Sequence, residues 1–212
     1  MPRVLVFGAT RGVGLETVKR LLASGSAQVS AFARAASAPK LSALQGLTVL
    51  QGDVRDPAAV AAALAPGYDA LIISLGGAGI WAADDTCSVG TAHILAALRA
   101  AGAAPRLVVC SSMGARESRG HIGGFVRWLL THPLADKDLQ EAAVEASGLP
   151  YCIVRPTGLS DAAPRGLGAL ACVATGPTPT SRIARADVAE FLIAQAAPET
   201  AQGLKVVGIS WR

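Results

Sequence analysis

Short apolar runs alternate along this chain with stretches in which apolar positions recur every three or four residues. Val4-Leu-Val-Phe7, Ala70-Leu-Ile-Ile-Ser74 and Arg106-Leu-Val-Val-Cys110 carry no polar alternation inside their apolar cores. That is the pattern of strands covered on both faces. Gln28–Ala33, Leu47–Gln51, Tyr151–Arg155 and Leu204–Val207 predict four further strands. Between them, Leu15, Val18, Leu21 and Leu22 fall at helical spacing, with Gly25 placed to close the helix. Helices are also predicted over Pro57–Ala65, Thr86–Ala101 stopped by Gly102, Lys137–Ser147 stopped by Gly148, and Arg185–Ala197. Strand and helix in regular alternation give an α/β fold, a doubly wound parallel sheet with right-handed crossovers, as a single domain over residues 1–212. Two segments lose periodicity, 115–135 and the Gly-, Pro- and Thr-rich 160–182. They are expected to be long loops over one sheet edge, where lids and acceptor sites are commonly built.

The first turn carries the chemistry. Gly8, Gly12 and Gly14 stand between a buried strand and an amphipathic helix, so the backbone can approach a pyrophosphate there. The free amides and dipole of the helix start favour the negative charge. At the end of the second strand, dinucleotide folds use an acid to bind the ribose of NAD or an arginine beside the 2′-phosphate of NADP. Here the residue is Arg34, and Arg11 in the glycine turn can reach the same phosphate. The cofactor predicted is therefore NADP(H). Asp53 and Val54 follow the third strand, where they could bond the adenine edge and cover its face; a plain turn aspartate is the alternative. Leu75-Gly-Gly-Ala-Gly79 leaves the fourth strand as a second glycine-rich exit beside the cofactor.

Composition narrows the classes. Net charge is +4 with lysine and arginine dispersed, and aromatics are 4% of residues, so neither a nucleic-acid arm nor a base-stacking platform is expected. No apolar run approaches the roughly 18 residues of a membrane helix. Cys87, Cys110, Cys152 and Cys172 form no C-x-x-C and are expected as buried, reduced thiols of a cytoplasmic protein. Met1-Pro-Arg3 leads straight into the first core strand, with no sign of a signal peptide. His93, His121 and His132 make no metal-binding set with the cysteines, so no metal is expected; His93 is expected to be packed or on the surface. A hydrolase elbow would need glycine where Cys110 stands, and no Gly-Lys pair exists for a P-loop.

Phe7-Gly-Ala-Thr-Arg-Gly-Val-Gly14, Gly52-Asp-Val54, Cys110-Ser-Ser112 and Ser147-Gly-Leu-Pro-Tyr-Cys-Ile-Val-Arg-Pro156 resemble the atypical short-chain dehydrogenase/reductases with NmrA-like NAD(P)-binding domains. The nearest flavour is the small single-domain group that includes the mammalian flavin reductase/biliverdin-IXβ reductase. Ser88–Leu98 and Ser181–Val188 support that placement. The resemblance implies Ser112 as the active-site serine. Lys137 with Glu141 is similar to the K-x3-E of atypical members, although a Lys–Glu pair four apart is also an ordinary surface pair. The flavin reductase branch tends to carry a histidine nearby; here Lys137 stands in that place, with His121 and His132 on the loop. The usual Tyr-x3-Lys relay is missing, because Tyr68 and Tyr151 are followed four residues later by Ile72 and Arg155.

These readings assign cofactor contacts to Gly8, Thr10, Arg11, Gly12, Val13, Gly14, Arg34, Asp53, Val54, Leu75, Gly76, Gly77, Ser111, Pro156 and Thr157, and catalysis to Ser112 and Lys137. The predicted protein is an NADPH-dependent reductase of a flavin, quinone or similar conjugated acceptor. It acts on a small molecule without nucleic acid or membrane, as a monomer or else a dimer. The alternatives are an NADP(H)-binding redox sensor of NmrA type and a pathway-specific reductase or epimerase.

Overall fold

The computed structural model describes residues 1–77, 79, 83–174, 176–180, 182–197 and 203–212. Ala78 in the second glycine-rich exit and Ser181 in the 181–188 motif lie outside them. Ten strands are described: β1 (Arg3–Phe7), β2 (Gln28–Ala33), β3 (Thr48–Gln51), β4 (Ala70–Ile73), β5 (Arg106–Cys110), β6 (Tyr151–Pro156), β7 (Gly158–Ser160), β8 (Leu170–Val173), β9 (Arg182–Ala184) and β10 (Val206–Trp211). The helices are α1 (Gly12–Ser24), α2 (Pro57–Leu64), α3 (Thr86–Ala101), α4 (Gly124–Leu129), α5 (Thr131–Glu145) and α6 (Arg185–Ala196).

The main sheet runs β3-β2-β1-β4-β5-β6-β10-β8, and β7 pairs with β9 in a separate two-stranded sheet. Every pairing in the main sheet is parallel except β10 with β8. The chain winds from β1 out to β3, then crosses to β4 on the other side of β1. The carboxyl ends of β1 and β4 therefore flank the switch point at which α/β sheets open a crevice.

Alternation within β1 shows how both faces are covered. Val4 and Val6 join the apolar layer beneath α1 and α6, whereas Leu5 and Phe7 join the opposite layer with residues of α2, α3 and α5. All four are buried, so the strand reads as one continuous apolar run.

Four expectations are corrected, the first being that the closing strand runs Val206–Trp211 and not Leu204–Val207. The segment 115–135 is largely helical: a 3-10 turn spans Arg116–His121, α4 follows, and α5 starts at Thr131 instead of Lys137. α4 buries none of its residues, so no apolar stripe marked it, and Pro133 falls in the first turn of α5, where its missing N–H costs no helix bond. The second segment, 160–182, contains β8, an antiparallel edge strand. Of the four cysteines, Cys87, Cys110 and Cys152 are buried, but Cys172 on that edge strand is exposed.

Candidate functional site

The turn from β1 into α1 is built by close packing of backbone. Gly8 has φ +79°, and a methyl group there would lie 2.2 Å from Ser74 O at the end of β4. A methyl on Gly14 would lie 2.3 Å from Gly8 O. Both positions admit only glycine, which brings the start of α1 down onto the sheet at the switch point. The N-cap residue Arg11 makes no side-chain cap bond, and the first turn of α1 holds no acid. The helix thus begins with amides and a positive dipole end that no side chain among the described residues satisfies.

A cleft of about 860 Å³ opens over this turn. Its lining includes Gly8, Thr10, Arg11, Gly12, Val13, Arg34, Asp53, Val54, Leu75, Gly76, Gly77, Ser111, Ser112 and Lys137. Fourteen of the seventeen residues named from sequence are therefore brought together. Gly14 is not among them, because it packs beneath the turn. Pro156 and Thr157 are also not lining residues. β6 runs on through Pro156, and Thr157 N donates to Ile209 O of β10 at 3.1 Å, which keeps both residues in the ladder. Thr157 is buried, and its Oγ1 has no hydrogen-bond partner among the described residues.

The arginines of the cleft differ in how they are held. Arg11 Nη2 donates to Gly77 O at 2.8 Å, which ties the first glycine turn to the second. Arg34 is exposed and makes no ion pair among the described residues. Arg55 pairs with Asp84 and Asp85. Asp53 Oδ1 accepts from Arg55 N at 3.0 Å, so part of its carboxylate serves the turn.

At the other end lie Ser112 and Lys137. Ser112 is half-buried and its Oγ donates to Met113 O at 3.1 Å. Lys137 Nζ donates to Leu75 O (3.0 Å), Cys110 O (2.9 Å) and Gln140 Oε1 (2.9 Å). Its ammonium thus joins the ends of β4 and β5. Glu141 is not its surface partner: it is fully buried, accepts from the Ser111 hydroxyl, and forms a two-pronged pair with Arg155. Glu117 takes the remaining prong of Arg155 at 2.6 Å, and that bond holds its carboxyl below the usual range. Burial pushes the Cys87 thiol up to about 11 and raises Cys110 as well, with the Lys137 ammonium opposing both shifts.

Neither tyrosine reaches the cleft. Tyr68 precedes β4 and stacks under Arg3 at 5.2 Å, and Tyr151 opens β6, both at the opposite edge of the sheet. His121 and His132 are exposed, and His93 bonds Val54 O at 2.9 Å. No cluster of metal-binding side chains exists among the described residues. The lining also contains Leu159, Asp161 and Arg185, which the sequence reading did not assign. Leu159 and Asp161 lie just after Pro156-Thr157, and Asp161 falls in the 160–182 segment expected over this sheet edge.

The chain belongs to a family of NAD(P)H-binding domains, whose model matches residues 8–199. It is similar to the anaerobillin reductase ChuY of Escherichia coli O157:H7, at 28% identity over 98% of this chain and 96% of that one, with a TM-score of 0.82. ChuY of E. coli strain CFT073 matches at 24% identity over 99% and 96%, TM-score 0.79. A short-chain dehydrogenase/reductase of Veillonella parvula, solved in complex with NADP, shares the fold at 16% identity over 99% and 95%, TM-score 0.77. The uncapped α1, the glycine cradle and the cationic cleft fit the dinucleotide that the family binds. No described helix is long and apolar enough to cross a membrane.

Proposed function

We propose that this NAD(P)H-binding protein is an NADPH-dependent reductase of an extended, conjugated acceptor: a flavin, a quinone or a bilin of the anaerobillin kind. The observation that carries the cofactor choice is Arg34, exposed at the end of β2 and without an ion pair among the described residues, where an acid would serve NAD. Its planar donor fork suits a 2′-phosphate, with Arg11 on the neighbouring turn as a second cation.

Bound in the cleft, a reduced nicotinamide supplies the hydride. The residues of this chain bind and orient. The first-turn amides of α1 receive the diphosphate. Lys137 holds the carbonyls of Leu75 and Cys110, which fixes the backbone on which Ser112 stands. Ser112 would turn its hydroxyl from Met113 O to the nicotinamide amide or the acceptor. A conjugated acceptor delocalises the negative charge that hydride brings, so it needs little proton donation from a side chain, and solvent can deliver the proton. A cleft without tyrosine agrees with such acceptors better than with simple ketones. The walls after β5 and β6, which carry α4 and the β7–β9 ribbon, would shape the acceptor pocket. On this proposal the protein acts on a small molecule in the cytoplasm, as a monomer or else a dimer.

The test is the rate of NADPH consumption with FMN, riboflavin, a quinone series and anaerobillin, beside Ser112→Ala. Turnover that falls about 10- to 100-fold in the variant supports the reading. Tight NADPH binding with no turnover on any acceptor would overturn it in favour of a redox sensor.

A further inference from the structure

Arg185 has no part in the reading above, yet it faces the glycine turn. It opens α6, and its side chain reaches back so that a methyl group on Gly12 would sit 3.8 Å from Nε and 4.0 Å from Cδ. Its present partner is Asp161, at 2.7 Å from Nη1. The Asp161 side chain is 88% exposed, against 29% for Arg185.

We propose that Arg185 is a third cofactor-binding cation, the one that serves the diphosphate, and that Asp161 competes with the dinucleotide for it. The inference rests on the NADP(H) reading of this cleft. An exposed carboxylate keeps most of its hydration, so its ion pair is weak and cheaply exchanged. A guanidinium facing a diphosphate at an uncapped helix start gains parallel charge-assisted bonds in a partly enclosed cleft. The exchange leaves Asp161 in water, where a charged carboxylate is well solvated. The other two arginines have different tasks: Arg11 is tied to Gly77 O, and Arg34 stands at the 2′-phosphate end.

The competition gives the two partners opposite signs, which a merely structural ion pair does not. Titration calorimetry at low salt with NADP+, 2′-phospho-ADP-ribose and 2′-AMP reads them out. Arg185→Gln is expected to weaken NADP+ and 2′-phospho-ADP-ribose about tenfold and leave 2′-AMP within about twofold. Asp161→Asn is expected to tighten the first two about two- to fivefold. Weaker NADP+ binding in Asp161→Asn, or unchanged binding in Arg185→Gln, overturns the proposal. Should Arg185→Gln fail to fold, Asp161→Asn at its exposed position decides alone. A wild-type protein that binds none of the three ligands would instead overturn the NADP(H) reading, and this inference with it.

Discussion

α1 and α3 begin at the same edge of the sheet and border the same cleft, yet their first turns are satisfied in opposite ways. At α3 the amides of Cys87 and Ser88 donate to the two oxygens of Asp136, each at 2.9 Å, and Thr86 N donates to Asp84 at 2.8 Å. Asp136 is buried and comes from α5, so the anion that this helix start needs is supplied by the chain itself. Among the described residues, α1 receives no carboxylate and no side-chain cap. The same dipole and the same orphan amides are closed off in one case and left for a ligand in the other. Between these two helix starts the capping state is what differs: the chain closes one of them and leaves the other open over the cleft.

Either helix start can be altered by a single substitution. Asp136→Ala removes a buried carboxylate and orphans two amides, and should lower unfolding free energy by about 3 kcal/mol in urea denaturation. A loss below about 1 kcal/mol would mean that the α3 amides do not depend on it. Arg11→Asp gives α1 the cap it lacks. It should stabilise the ligand-free protein by about 1 kcal/mol and weaken NADP+ about 100-fold by calorimetry. Arg34→Ala should weaken NADP+ about 30-fold and leave NAD+ nearly unchanged, which separates the 2′-phosphate from the diphosphate site.

The smallest effect concerns pH. Burial raises the Cys87 thiol in the first turn of α3 from 9.0 to about 11. Its contribution is therefore fully present below pH 9 and is lost as pH rises towards 11, while the unfolded chain ionises first. Cys87→Ala should flatten the alkaline fall in stability by about 1.4 kcal/mol per pH unit in that window. An unchanged slope between wild type and variant would show that this thiol is not held neutral.

β2, α3 and β5 were legible to the residue, because apolar runs there are bounded by residues such as Gly25 and Gly102 with left-handed backbone. α4 was not. Phe125 and Trp128, which would anchor a core-facing stripe, are 73% and 66% exposed and lie tilted against each other, ring centroids 6.0 Å apart. β10 was placed at Leu204–Val207 but runs Val206–Trp211, since Gly208 and Ser210 interrupt its apolar pattern. In the cleft, the glycine turn and the strand ends were visible because their spacing is local. Arg185 was not, since its meeting with Gly12 joins residues far apart in the chain. Lys137 and Glu141 show the same limit: their spacing suggested a mutual pair, while burial sent Glu141 to Arg155 and Lys137 to strand-end carbonyls.

β10 follows every other described element yet lies inside the sheet, between β6 and β8. A ribosome delivering the chain in order therefore presents an open edge on β6, and leaves β8 without its partner, until this strand emerges. Trp211 closes the arrangement by donating its indole N–H to buried Asp187, which already receives the amides of Arg165 and Gly166. The glycine turn at the other end of the chain can form early in synthesis, while the sheet beside it is completed late. Nascent chains halted before residue 206 are expected to recruit chaperones that shield unpaired strands.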